Sequence, residues 1–288
     1  MRKDFPLIKK TLDKLYEEVD YDAFVRNDPI EFPHKYSDKN DKEVVAFISC
    51  CFAHGKVSLF KKALDEIFNY LGNSPYLFLV NSKEDSFDKL NTYYRQSSTN
   101  DVRGFLYATG EILREHKSLK ELFSKHYNSK DPDYTLALNG FVHEFYKTDL
   151  KSFYPDKKIS RGFIQFLPDP SKGSTCKRLH LFLRWMIRKE RPDLGLWDYP
   201  TNKLLIPVDT HIAKLSGYIG LSKRKTLDIE FSKEVSSELR KLNKEDPVRY
   251  DFSLCHIGIS KGCTQKKGLS PCDSCSIAPI CQNHSDRL

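Results

Sequence analysis

The sequence predicts an all-α protein. Apolar side chains recur at helical spacing along most of the chain, and the β-branched alternation that strands need is nearly absent. Clusters of Pro, Asp and Gly punctuate the helical runs. The first run holds Ile8, Leu12, Leu15 and Tyr16 at i, i+4, i+7 and i+8, one apolar stripe of an amphipathic helix. Ser37, Asp38 and Asn40 then supply turn and cap chemistry. They precede "EVVAFISCCF" (Glu43–Phe52), which is apolar all round and therefore predicts a buried central helix. "SLFKKALDEIFNYL", "DVRGFLYATGEILREH", "TLALNGFVHEFYK", "CKRLHLFLRWMIRK" and "DFSLCHIGI" are further helices by the same criterion. "FLPDPSKGST" (Phe166–Thr175) is a loop opening onto a helix. Glu190–Pro207 is a long connection, and the stretch after His256 is loop-like.

Lys plus Arg number 47 against 39 Asp plus Glu, a formal charge of +8 that favours an anionic partner such as nucleic acid. No run approaches the roughly 18 apolar residues of a membrane span. The opening segment has neither the apolar core nor the cleavage site of a signal peptide. The expectation is a cytoplasmic, nucleoid-associated monomer with no membrane partner. In that compartment thiols stay reduced, and clustered cysteines read as metal ligands before disulfides.

Four of the eight cysteines fall in "KGCTQKKGLSPCDSCSIAPIC", as Cys263-x8-Cys272-x2-Cys275-x5-Cys281. Four thiolates suit either a tetrahedral Zn²⁺ or an iron–sulfur cluster. Only one half shows the paired Cys-x2-Cys of a zinc ribbon, and the x5 spacing leans toward iron–sulfur. A redox reading of Cys272 and Cys275 leaves Cys263 and Cys281 unexplained. Cys50, Cys51, Cys176 and Cys255 lie in apolar helix patterns and read as ordinary buried thiols.

"HIGISKGCTQKKGLSPCDSCSIAPIC" resembles the C-terminal loop of endonuclease III-type DNA glycosylases, members of the helix-hairpin-helix superfamily. Their [4Fe–4S] loop has x6 where this chain has x8. "LLIPVDTHIAKL" resembles the string that carries that family's aspartate, here Asp209. A plain reading makes Asp209 a helix N-cap, and the two roles are compatible. "LPDPSKGSTCKRLHLFL" resembles the family's hairpin more loosely. Gly173 takes the first turn glycine, and Thr175 stands at the second, where a left-handed backbone disfavours it. Lys177 falls at the nucleophilic lysine, with Lys172 as a rival. The 32 residues from Lys177 to Asp209 are similar to the longer interval of archaeal 8-oxoguanine glycosylases.

The resemblance implies a two-lobed helix-hairpin-helix glycosylase-like fold. A barrel lobe would cover 42–176. The second lobe would join 1–41 to 177–288, and the cleft between them would present Lys177 and Asp209. It implies a base-excision glycosylase with AP-lyase activity on duplex DNA carrying an oxidised base or an abasic site. The target base would be flipped out of the stack. Lys177 would attack C1′ and Asp209 would accept the proton. Phosphates would be held by Gly173, Ser174 and Thr175, with a monovalent cation at the hairpin, and by Lys56, Lys266 and Lys267. His54 would wedge into the vacated space, and Trp197 and Tyr199 would line the base pocket. The alternatives are a non-catalytic DNA- or RNA-binding module and a zinc-stapled scaffold.

Overall fold

The computed structural model describes residues 4–155, 158–260 and 272–282. Helices account for the regular structure, and no named strand occurs among the described residues. In chain order they are α1 (Phe5–Glu17), α2 (Tyr21–Val25), α3 (Glu31–His34), α4 (Lys39–Phe52), α5 (Val57–Leu71), α6 (Pro75–Asn81), α7 (Thr99–His116), α8 (Leu119–His126), α9 (Thr135–Lys147), α10 (Arg161–Phe166), α11 (Lys177–Ile187), α12 (Thr210–Tyr218), α13 (Ile229–Leu242) and α14 (Asp251–Ser260). Short 3₁₀ turns occur at Glu84–Phe87, Pro170–Lys172, Thr201–Lys203, Cys272–Ser274 and Ala278–Ile280. The all-α expectation is met. No helix among the described residues is long and apolar enough to cross a membrane.

The chain divides into two compact units. The first comprises Met1–Phe24, Gly173–Arg184 and Tyr199–Leu288, and the second comprises Val25–Lys172 and Trp185–Asp198.

The second unit is built around α4. Asp38 caps it by accepting from the backbone N–H groups of Asn40 and Asp41, and every residue from Glu43 to Phe52 is buried. Aromatic rings surround it. Phe47 meets Phe105 of α7 and Phe141 and Phe145 of α9 at centroid distances of 5.7, 5.7 and 5.4 Å. Phe52 meets Phe166 of α10 at 4.9 Å. Each such ring stabilises the unit by about 1.5–3 kcal/mol through burial alone. Gly110 lets α7 approach α6, since a Cβ there would lie 2.5 Å from the Leu79 carbonyl oxygen. The buried Glu43 carboxylate accepts from Leu119 N at 2.8 Å, Lys120 N at 3.1 Å and the Trp197 indole at 2.7 Å. It therefore caps the start of α8 and fastens Trp197. Residues 25–41 join this unit through Phe32, whose ring lies 5.4 Å from Phe68, and through the Glu31–Lys61 pair at 2.6 Å.

In the first unit, α1 buries Ile8, Leu12 and Leu15 of the stripe read from the sequence, and its Tyr16 is half-buried. The Tyr250 hydroxyl donates to Asp13 at 2.6 Å, and the Arg249 guanidinium lies 4.0 Å from the Tyr16 ring centroid. Asp228 caps α13 by accepting from Phe231 N at 2.9 Å. That helix buries Ile229, Phe231, Val235, Leu239 and Leu242. Its Ser236 hydroxyl accepts from Ile206 N at 2.8 Å, which anchors the extended segment leading to Asp209. Helices α12 and α14 pack together, and the Ala278–Ile280 turn lies against α1.

Candidate functional site

Asp209 is the N-cap of α12. Its Oδ1 accepts from His211 N at 2.9 Å and from Ile212 N at 2.8 Å, the bonds that satisfy the first orphan amides of a helix. Its other oxygen points elsewhere. Oδ2 lies 3.6 Å from the Lys177 ammonium nitrogen and 3.9 Å from the Cys255 sulfur. One carboxylate oxygen holds the helix, and its partner faces the lysine.

Lys177 is the first residue of α11, with its side chain 30 % exposed. The turn before it is tight. Gly173 has φ +78 and Cys176 has φ +44, and Thr175 is not among the residues with positive φ. The left-handed step therefore falls on Cys176, one residue later than the second hairpin glycine expected from the sequence. A non-glycine residue in that region costs on the order of 1–3 kcal/mol and marks a constrained turn. The Ser174 hydroxyl braces it by accepting from Cys176 N at 3.2 Å.

A second layer lies behind the pair. Arg184 follows Lys177 by two helical turns and so shares its face of α11. Its guanidinium hydrogen-bonds to Asp251 of α14, and the two side chains are only 3 % and 4 % exposed. Burial pushes the Asp251 carboxyl up to about 6. The Arg184 cation opposes the rise, the Asp209 charge adds to it and Lys177 again opposes it. Asp251 thus feels the charges of both Lys177 and Asp209. His256, stacked on Phe24 at 4.4 Å, has its imidazole pulled down to about 4 by burial and then by Arg184.

Lys177, Asp209 and the Gly173–Thr175 turn lie in one unit. His54 and Lys56 belong to the other. The His54 ring meets Tyr94 edge-on at 4.8 Å, its carbonyl accepts from the Tyr94 hydroxyl, and Lys56 is exposed at the start of α5. Trp197 occupies a core position and not a pocket wall: it is 1 % exposed, with its ring 5.3 Å from Phe123. Tyr199 is half-buried. The rival Lys172 faces Asp169 at 3.8 Å, so Lys177 is the lysine beside Asp209. Lys266, Lys267 and Cys263 lie outside the described residues.

Cys272, Cys275 and Cys281 are half-buried around the two C-terminal 3₁₀ turns, with Cys275 N donating to Cys272 O at 3.1 Å. Among the described residues no three His, Cys, Asp or Glu side chains come together as a metal-ligand group. Three of the four clustered cysteines are described, and these three by themselves do not make a four-ligand site.

Arg184 and Asp251 are not singled out by the sequence, and Cys255 reads there only as a buried thiol. A signal existed for the first: an arginine inside "LHLFLRWMI" must find a partner when the helix is buried. Cys255, read as a core thiol, is half-exposed beside Asp209.

A family model described as Protein of unknown function (DUF2400) matches residues 28–260. The chain belongs to that family. No curated protein and no solved structure matches it. The DUF2400 match overturns the resemblance to helix-hairpin-helix glycosylases, for no glycosylase family model matches the chain. The reason lies in the motifs. An aspartate capping a helix is a general solution to orphan amides and carries little family information. The hairpin lacks its second glycine. The DUF2400 match ends at residue 260, before the first clustered cysteine.

Proposed function

We propose that the chain is a DNA N-glycosylase with AP-lyase activity, working in base-excision repair on an oxidised or missing base. The proposal stands on the site and not on membership of a glycosylase family. The observation that carries it is the 3.6 Å approach of Lys177 Nζ to Asp209 Oδ2 while Oδ1 is committed to the α12 cap. A primary amine beside a fixed carboxylate oxygen is the pairing that covalent catalysis at a sugar carbon needs.

A base inside a duplex is out of reach, so the nucleotide must first be extruded. The Lys177 ammonium first loses a proton to solvent, and the neutral amine donates its lone pair to C1′. The N-glycosidic bond breaks, and the base leaves with the bonding pair and takes up a proton. While ionised, Asp209 stabilises the developing sugar cation, and once the Nζ–C1′ bond has formed its Oδ2 accepts the proton that the nitrogen loses. Ring opening gives a Schiff base between Nζ and C1′. Loss of a C2′ proton then expels the 3′ phosphate and nicks the strand, and water releases the lysine.

The spacing Cys263-x8-Cys272-x2-Cys275-x5-Cys281 supports a bound [4Fe–4S] cluster, with Zn²⁺ as the alternative. Such a site would brace the C-terminal segment and takes no part in the steps above.

The test is borohydride trapping on duplexes carrying an abasic site, 8-oxoguanine or thymine glycol. Wild type should give a covalent adduct. Lys177→Ala should lose it and Lys172→Ala should keep it. Asp209→Asn should melt with wild type, because Asn caps a helix as well as Asp does. It should nevertheless trap more slowly by about 10²-fold or more. Binding without any adduct would replace the enzyme with a non-catalytic DNA-binding module.

A further inference from the structure

Helix α12 ends at Tyr218, and the chain turns at Gly220, with φ +75. Leu221 N then donates to Ser216 O at 2.8 Å, which ties the start of the next loop to α12. The loop closes on α13, where Ile229 N donates to Gly173 O at 3.1 Å. This bond joins the loop to the turn that precedes Lys177.

Between these anchors stand Lys223, Arg224 and Lys225, three consecutive cations, all exposed. Arg224 is tied to Asp228 at 2.8 Å. Among the described residues neither Lys223 nor Lys225 has an ion-pair partner. Across the joining bond, a Cβ built on Gly173 would meet nothing within 4 Å, so the turn is open in front. Four residues after Gly173 comes Lys177. Open backbone, a pair of unneutralised lysines and the amine of the proposed site are thereby brought together in one unit.

We propose that the Lys223–Lys225 loop and the Gly173–Thr175 turn form one track for the sugar–phosphate backbone of duplex DNA. The inference rests on the reading of Lys177 and Asp209 as a DNA site and adds the element that carries the strand to them. Exposed lysines contribute to such contacts by releasing counterions, so their signature is salt dependence more than affinity at one condition. The loop has no aromatic side chain. Its contribution is therefore a grip on phosphate and not on base identity.

The experiment is fluorescence anisotropy on a duplex carrying an uncleavable abasic-site analogue. Wild type and Lys223→Ala/Lys225→Ala are titrated across a salt series, and a shared melting temperature establishes that both are folded. If both lysines touch phosphate, the slope of log affinity against log salt should become shallower by about 1.8 in the variant. Lys223→Arg/Lys225→Arg should restore it. An unchanged slope and affinity in the alanine variant, while wild type binds, would overturn the track and leave the Lys177–Asp209 reading standing. A changed slope without a trapped adduct in wild type would keep the track and remove the chemistry. Wild-type binding to polyglutamate with the same salt slope as to DNA would overturn the assignment to nucleic acid.

Discussion

Replacing Asp251 with Asn removes a titration and nearly preserves the side chain's shape. Burial raises this carboxyl from 3.8 to about 6, against the pull of Arg184. A raised carboxyl pKa means that the folded chain keeps a proton the unfolded chain has already lost. The sign follows: the contribution to stability is fully present below the unfolded value and is lost as pH rises through about 6. From about pH 4.5 to about pH 7.5 this linkage amounts to about 2 kcal/mol. Asn cannot titrate, so the unfolding free energy of wild type should fall relative to Asp251→Asn by that amount across the interval. Urea unfolding of both proteins at a series of pH values reads the difference, and groups common to both cancel. Parallel profiles would refute the reasoning. They would mean that Arg184 fully offsets burial and that Asp251 keeps an ordinary carboxyl pKa.

Two further predictions concern the second unit and the C-terminal segment. Glu43→Ala strands two α8 amides and the Trp197 indole N–H in the core. At roughly 1–3 kcal/mol for each of the three unsatisfied groups, the expected loss is about 3–9 kcal/mol. Circular dichroism melting should then show a fall of roughly 10 °C, and a melting temperature unchanged by the substitution would remove Glu43 as the organiser of that core. Protein purified without oxygen should carry iron and acid-labile sulfide, and Cys272→Ser should lose both. Zinc without sulfide would select the alternative metal, and neither metal would remove the site.

The legible part of the fold was local. The α1 stripe, the all-apolar α4 and the runs that became α5, α7 and α9 declare themselves through periodicity within a few turns. Helix α13 was harder to see, because Ser232 and Ser236 interrupt its apolar stripe although both are fully buried. The site was legible where one residue does a local job. Asp209 stands before a helix, and the cap that makes it recognisable also orients its second oxygen. The rest depends on long-range partners. Arg184 meets Asp251 across 67 residues and Glu43 meets Trp197 across 154, and no local pattern announces such pairs. The glycosylase resemblance misled for a related reason: short strings with local structural causes recur in unrelated families.

The most direct test of the central claim is to locate the covalent bond. After borohydride reduction on an abasic-site duplex, nuclease and protease digestion followed by mass spectrometry should find the sugar remnant on Lys177 Nζ. A remnant on Lys172 or any other lysine, or none from a protein that binds the duplex, would contradict the assignment of Lys177 and Asp209 as the reactive pair.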